Sequence, residues 1–174
     1  MKDIRNMPIG IQSFEAMRTG GYVYVDKTQF IPKLEKLGRA YFLTRPRRFG
    51  KSLFISTLQA YFEGRTELFK GLFIEKHKKE MGLEWQTYPV LKLDLNAAEY
   101  TQKLHLTTIL NDHIEDWCRK YDIKLDVKEP SSAFAKIIKL LYKKFNKKVV
   151  VLVDEYDKPL IATLENEELN DTYR

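Results

Sequence analysis

Five residues near the C-terminal end, Val149-Val150-Val151-Leu152-Val153, narrow the folds open to this chain. A continuous, mostly β-branched run reads as a strand buried on both faces of a parallel sheet, which places the chain in the α/β class. Asp154-Glu155 follows at once, so both carboxylates emerge at the sheet's C-terminal edge, where open α/β sheets bind ligands. There Asp154 is suited to hold Mg²⁺, through water or together with a hydroxyl, and Glu155 to polarise an attacking water. The bland alternative is an acidic pair that opens a turn.

A second motif decides between those readings. Residues 45–52 read RPRRFGKS and end in Gly50-Lys51-Ser52, the close of a phosphate-binding loop. Backbone N–H groups of such a loop cradle phosphates, its Lys reaches the β/γ-phosphates and its hydroxyl binds Mg²⁺. The generic spacing puts a Gly five residues before Gly50, where this chain has Arg45. Tyr41-Phe42-Leu43-Thr44 reads as a buried strand before the loop. Lys51 to Glu63 reads as a helix after it, with Phe54, Leu58, Tyr61 and Phe62 at helical spacing and Gly64 as its stop. Gly-Lys-Ser thus lies at a strand-to-helix turn, where free N–H groups and the helix dipole favour an anion. The candidate nucleotide-binding residues are Arg47, Arg48, Phe49, Gly50, Lys51, Ser52 and Leu53. Lys51 doubles as a catalytic cation and Ser52 as a metal ligand. A basic turn holding Gly-Lys-Ser by chance is the bland reading, and a second motif on the same sheet edge argues against it.

At 174 residues the chain has the length of one domain with a sizeable core. Its 44% apolar and 31% charged residues suit a globular protein. The net charge of +6 and pI near 9.2 are compatible with polyanionic partners, and a nucleotide triphosphate accounts for part of that balance. Cys118 stands alone, which excludes an intramolecular disulfide and points to a reducing compartment. The start, MKDIRNMPIG, lacks the apolar core of a signal peptide, and no apolar run approaches the ~20 residues of a membrane helix. The expected location is cytoplasmic.

The other segments supply the frame. Ser13 caps a short helix toward Met17 that ends at Gly20-Gly21, and Tyr22-Val23-Tyr24-Val25 is β-prone. Thr28 is a better helix cap than Asp26, because it keeps Pro32 in the first turn of a helix carrying Phe30, Ile31, Leu34 and Leu37 and ending at Gly38. This lead-in either packs on the sheet or helps wall an adenine pocket. Leu68, Phe69, Leu72, Phe73 and Ile74 cluster around Gly71. Tyr88 to Leu95 reads as a second strand, and Asp94 near its end caps the next segment rather than approaching the nucleotide's water or metal. Thr101 to Tyr121 is an amphipathic helix whose His113 and Cys118 read as core, not as a metal pair, since no further Cys completes a ligand set. Asp122 to Pro130 is a polar linker. Ser131 caps a helix bearing Phe134, Ile137, Ile138, Leu141, Tyr142 and Phe145. Its Lys136, Lys139, Lys143 and Lys147 read as a solvated face rather than a nucleic-acid contact. Leu160 to Leu164 continues as a short helix, and the acidic stretch from Glu165 to Asp171 reads as solvated.

Four pieces together, MPIGIQSF at 7–14, YVDKT at 24–28, RPRRFGKS at 45–52 and VVVLVDEYDKPL at 149–160, resemble the bacterial AAA-ATPase-like domain family. That family belongs to the P-loop NTPases with an additional strand and a catalytic glutamate, and the resemblance covers nearly the whole chain. It implies a P-loop α/β fold with a mainly parallel sheet flanked by helices. Residues 1–40 would be lead-in helices, 41–64 the phosphate-loop unit, and 88–157 a second strand, two helices and the acidic-pair strand. Arg45 in place of Gly is typical of the family. By position, Lys51 would bind phosphate, Ser52 and Asp154 would hold Mg²⁺, and Glu155 would activate water. ATP over GTP rests on the resemblance alone. Tyr156-Asp157-Lys158 also belongs to the pattern, without an assigned role. A C-terminal nuclease-like domain often accompanies this one in family members. In this division a further strand with a polar sensor inserts between the two motif strands, and Lys158 to Arg174 contain no strong strand for that slot. The expectation is therefore the N-terminal part of a longer protein or a truncated product, lacking its C-terminal strands, a sensor and any arginine finger. It would bind Mg-ATP weakly with little or no turnover. Two rivals stand beside this reading. One is a nucleotide-dependent switch or scaffold that does not hydrolyse. The other is a basic nucleic-acid-binding module using Arg45, Arg47, Arg48 and the lysine stripe.

Overall fold

A computed structural model describes residues 6–37, 40–44, 46, 48–97, 99–102 and 104–173. Gly38, Arg45 and Arg47 lie outside the described residues. The chain divides after Thr87 into two compact units.

The first unit is held by aromatic packing. Helix α1 (Phe14–Thr19) is capped by Ser13, whose Oγ accepts from the Ala16 N–H at 3.2 Å. It buries Phe14 completely, with Tyr24 and Phe69 rings at 5.2 and 4.9 Å. Burying one such side chain stabilises by about 1.5–3 kcal/mol. After a 3₁₀ turn (Thr28–Phe30), α2 runs over Ile31–Leu37 with Pro32 in its first turn. Thr28 does not cap α2 directly. Its N–H and hydroxyl both donate to Asp26 Oδ1, at 2.8 and 2.7 Å, so Asp26 closes the turn. Asp26 Oδ2 also accepts the Phe73 N–H at 2.7 Å, where α4 (Phe73–Glu80) begins. A carboxylate at a helix start is favoured by the dipole. Between these elements lies α3 (Lys51–Phe62), tied to α1 by the Phe14 N–H donating to Ser56 Oγ at 2.9 Å. Gly64 ends it at φ +77°, where a β-carbon would stand 2.3 Å from Thr87 Cγ2, so a larger residue there is strained and displaces Thr87.

Two expected strands do not form here. Tyr41–Thr44 carries no strand, and Tyr41, Phe42 and Leu43 are 49%, 66% and 42% exposed. Residues 22–25 alternate half-buried tyrosines with exposed valines but join no ladder. A strand persists only as part of a ladder, and among the described residues neither run belongs to one. In the Gly71 cluster, Phe73 is 43% exposed while Leu68, Phe69, Leu72 and Ile74 are buried.

The second unit holds a parallel pair, β1 (Val90–Asp94) and β2 (Val150–Asp154), with Val90 opposite Val150 and Asp94 opposite Asp154. Helices α5 (Leu104–Tyr121) and α6 (Pro130–Phe145) lie between them in sequence. Both pack on Leu91 through Ile114, Trp117, Ala133, Ile137 and Leu141. The fold is α/β with a parallel sheet and helices as expected, and the described sheet has two strands. The valine run is not buried on both faces either, since Val151 and Val153 are each 40% exposed.

Smaller corrections have local causes. Glu129, not Ser131, caps α6, its carboxylate accepting the Ser131 and Ser132 N–H groups at 3.0 and 2.6 Å. Pro130 fits the first helical position, which moves the cap one residue before it. The expected polar linker packs Ile123, Leu125 and Val127 against the core. The acidic stretch forms α8 (Glu167–Tyr173) after α7 (Lys158–Ala162), and buries Leu169 and Asn170. Asn170 Nδ2 donates to Leu160 O and Thr163 Oγ1, which explains why a polar residue is buried there. No helix among the described residues is long and apolar enough to cross a membrane.

Candidate functional site

In the first unit the candidate residues bend into one turn. Arg48 and Gly50 take left-handed backbone, at φ +66° and +74°, and α3 starts directly at Lys51. That conformation is easy for glycine and costly for arginine. The first intrahelical bond runs from the Phe54 N–H to the Gly50 carbonyl at 3.0 Å. The N–H groups of Lys51, Ser52 and Leu53 precede it and have no intrahelical acceptor. Among the described residues no side chain caps this helix start. Lys51 and Ser52 are half-buried. Phe49 is 57% exposed at the head of the turn.

Beside the turn is a cavity of about 220 Å³. Phe30 and Leu34 line it from the 3₁₀ turn and α2, Phe54 from α3, and Leu43 and Phe49 from the approach to the loop, while Lys27 and Gly50 border it. Ligand pockets for whole drug-sized molecules span about 300–1,000 Å³, so this space suits one ring system.

The second unit carries the acidic pair. Asp154 ends β2 and is 4% exposed, and its Oδ1 accepts the Glu155 N–H at 3.1 Å. Glu155 is left-handed at φ +52° and half-buried. Left-handed backbone thus falls at both motifs, as it also does at Tyr100, Asp122 and Asn146. Asp94 stands opposite Asp154 in the register, and its Oδ1 accepts the Asn96 N–H at 2.9 Å. It caps the 3₁₀ turn (Leu95–Ala97), the role favoured for it from sequence.

Lys158 had no expected role. Its Nζ donates to Asn96 O and Oδ1 at 2.8 and 2.5 Å, joining the turn after β1 to the start of α7. The Lys158 N–H donates to the Glu155 carbonyl at 3.0 Å. Glu155 is therefore held between β2 and a fastened helix start. The family pattern at 156–158 is the only sequence signal for this clamp, and it names no partner.

The alternative sites have structural roles instead. His113 Nε2 lies 3.3 Å from the Asp94 N and 3.1 Å from its carbonyl, bonding to β1 whichever tautomer it adopts. The Cys118 thiol packs against the α5–α6 core, where burial and then Glu115 push its pKa up. Among the described residues no group of three acidic, His or Cys side chains could hold a metal ion. Within the lysine stripe, Lys136 pairs with Asp126.

Known proteins carry the same sequence pattern. The profile of a family described as predicted AAA-ATPase matches residues 8–174. A protein of Azotobacter chroococcum mcd 1, described as an uncharacterized protein in the vnfD 5′ region, is 36% identical over 167 residues. The match covers 95% of this chain and 31% of that protein, so the chain spans under a third of the relative's length. No solved structure matches.

Proposed function

The chain belongs to the predicted AAA-ATPase family, and from that premise we propose that it binds ATP at Gly50–Leu53 for phosphoryl transfer to water. The observation that carries this is the uncapped start of α3. Left-handed Gly50 opens onto three N–H groups without intrahelical acceptors, next to Lys51, Ser52 and a ring-sized apolar cavity. Anions bind helix starts of this kind through those groups and the dipole.

In this reading the base enters the cavity against Phe30, Leu34 and Phe54, and the phosphates lie on the turn. Arg48, Phe49 and, by its place in the motif, Arg47 flank them. Lys51 balances charge on the β/γ-phosphates. Ser52 and Asp154 are oxygen donors, the type a hard divalent cation prefers, and by their places in the two motifs they would hold Mg²⁺. When bound, that ion supplies charge neutralisation on the phosphate oxygens. Asp154 suits the role because it is nearly buried yet spends only one described bond, to the Glu155 N–H, on the chain itself. Glu155 takes a hydrogen bond from the attacking water and orients it.

The test is phosphate release with Glu155→Gln beside the unsubstituted chain and a longer form of the protein. The Gln retains shape but loses the basic oxygen, so turnover should drop by about 10²–10⁴-fold while Mg-ATP binding persists. Equal turnover in both would remove Glu155 from the mechanism. Binding without turnover even in the longer form would leave a nucleotide-dependent switch.

A further inference from the structure

One cation of the first unit that the phosphate-loop reading does not use stands beside the turn. Lys27 borders the apolar cavity, and its Nζ lies 3.9 Å from where a β-carbon on Gly50 would stand. It is thus half-buried beside the backbone of the turn. The neighbouring carboxylate is turned to other donors. Asp26 Oδ1 is taken by the Thr28 N–H and hydroxyl, and Oδ2 by the Phe73 N–H. Among the described residues the Lys27 ammonium has no ion pair or hydrogen-bond partner.

Its backbone, by contrast, is firmly held. Thr28 is fully buried and its Oγ1 accepts the Ile74 N–H at 3.1 Å, which joins the Asp26–Thr28 turn to α4. The Phe30 N–H donates to the Lys27 carbonyl at 3.1 Å. Lys27 is fixed at its base by a buried network, and its tip lies beside Gly50, the residue before three N–H groups without intrahelical acceptors. A cation and an open helix start on one turn are an arrangement that an anion completes.

We propose that Lys27 is a second phosphate-binding cation, which donates to oxygens of the nucleotide's phosphate chain at the junction of the base cavity and Gly50. The assignment rests on the nucleotide reading above and extends it to a residue outside the phosphate loop. It also separates two functions within one segment. Phe30 and Leu34 would face the base, and Lys27 three residues earlier would face the phosphates. The ammonium acts as a compact point charge, so charge matters more than shape.

Calorimetric titrations test this with Mg-ATP, pyrophosphate and adenosine as ligands. The proteins are the unsubstituted chain, Lys27→Met, Lys27→Gln, Lys27→Arg and Lys51→Ala, each first shown to unfold cooperatively. Losing one charge-assisted hydrogen bond should weaken Mg-ATP and pyrophosphate about tenfold or more in Lys27→Met and Lys27→Gln, with adenosine unchanged. Lys27→Arg should retain most of the affinity. Mg-ATP binding unchanged in both neutral variants, while Lys51→Ala loses it, would overturn the Lys27 assignment alone. Equal losses of adenosine and Mg-ATP would make Lys27 part of the base wall and overturn the phosphate role. If Lys51→Ala binds Mg-ATP as tightly as the unsubstituted chain, the nucleotide reading fails and the Lys27 proposal with it.

Discussion

Glu129 shows how one residue can set an acid response. Its carboxylate takes the Ser131 hydroxyl first, then the Ser132 and Ser131 N–H groups, and these bonds hold its pKa down to about 2 from the ordinary 4.5. A carboxyl with a lowered folded pKa contributes stability above its unfolded value, and that contribution is lost as pH falls from about 4.5 toward 2. The group is exposed, so solvent screens the effect. Glu129→Gln should lower the urea midpoint at pH 7 and flatten its dependence on pH between about 4.5 and 2, followed by circular dichroism. An unchanged acid limb would place the response in other carboxylates. This cap is readable from Glu129-Pro130 only by noticing that Pro takes the first helical position. Ser131 has the higher cap propensity, and propensity points there.

At the scale of elements, α5 does more than cover the sheet. The Tyr121 hydroxyl accepts the Val90 N–H at 2.7 Å and donates to the Val90 carbonyl at 2.8 Å, while His113 bonds the backbone of Asp94. Side chains thereby partly close the edge of β1 at its two ends. Tyr121→Phe leaves both Val90 groups without that partner. It should cost about 1–3 kcal/mol in denaturant unfolding of the chain, because Val90 is buried. A change within error would mean that water replaces the hydroxyl. Helices α3, α5 and α6 and strands β1 and β2 are legible from periodicity and composition, since each has a continuous apolar face or run. The edge closure is not. His113 and Tyr121 look like core positions on a helix face, and nothing local says that their polar atoms meet a strand. The capping role of Asp26 is hidden for the same reason, since its second partner, Phe73, lies 47 residues on.

For the molecule as a whole, the phosphate-loop motif and the acidic pair are the most legible features, and the least legible is which apolar runs fail to join the sheet. Tyr41–Leu43 is as apolar as a buried strand yet exposed, and Val151 and Val153 are exposed within β2. Periodicity reports what a segment prefers to bury, while a ladder also needs a neighbour that the local pattern does not specify. The chain spans 31% of the length of the Azotobacter relative, so activity of any longer protein is proposed only through the site that this chain carries. The central claim for that site is that Gly50, Lys51 and Ser52 open α3 toward a nucleotide. The most direct test is a calorimetric titration of Mg-ATP into the 174-residue chain and its Lys51→Ala variant. The account predicts saturable binding by the unsubstituted chain, weakened at least about tenfold by loss of the ammonium. Equal binding by both proteins, or no binding by either while both unfold cooperatively, would contradict it.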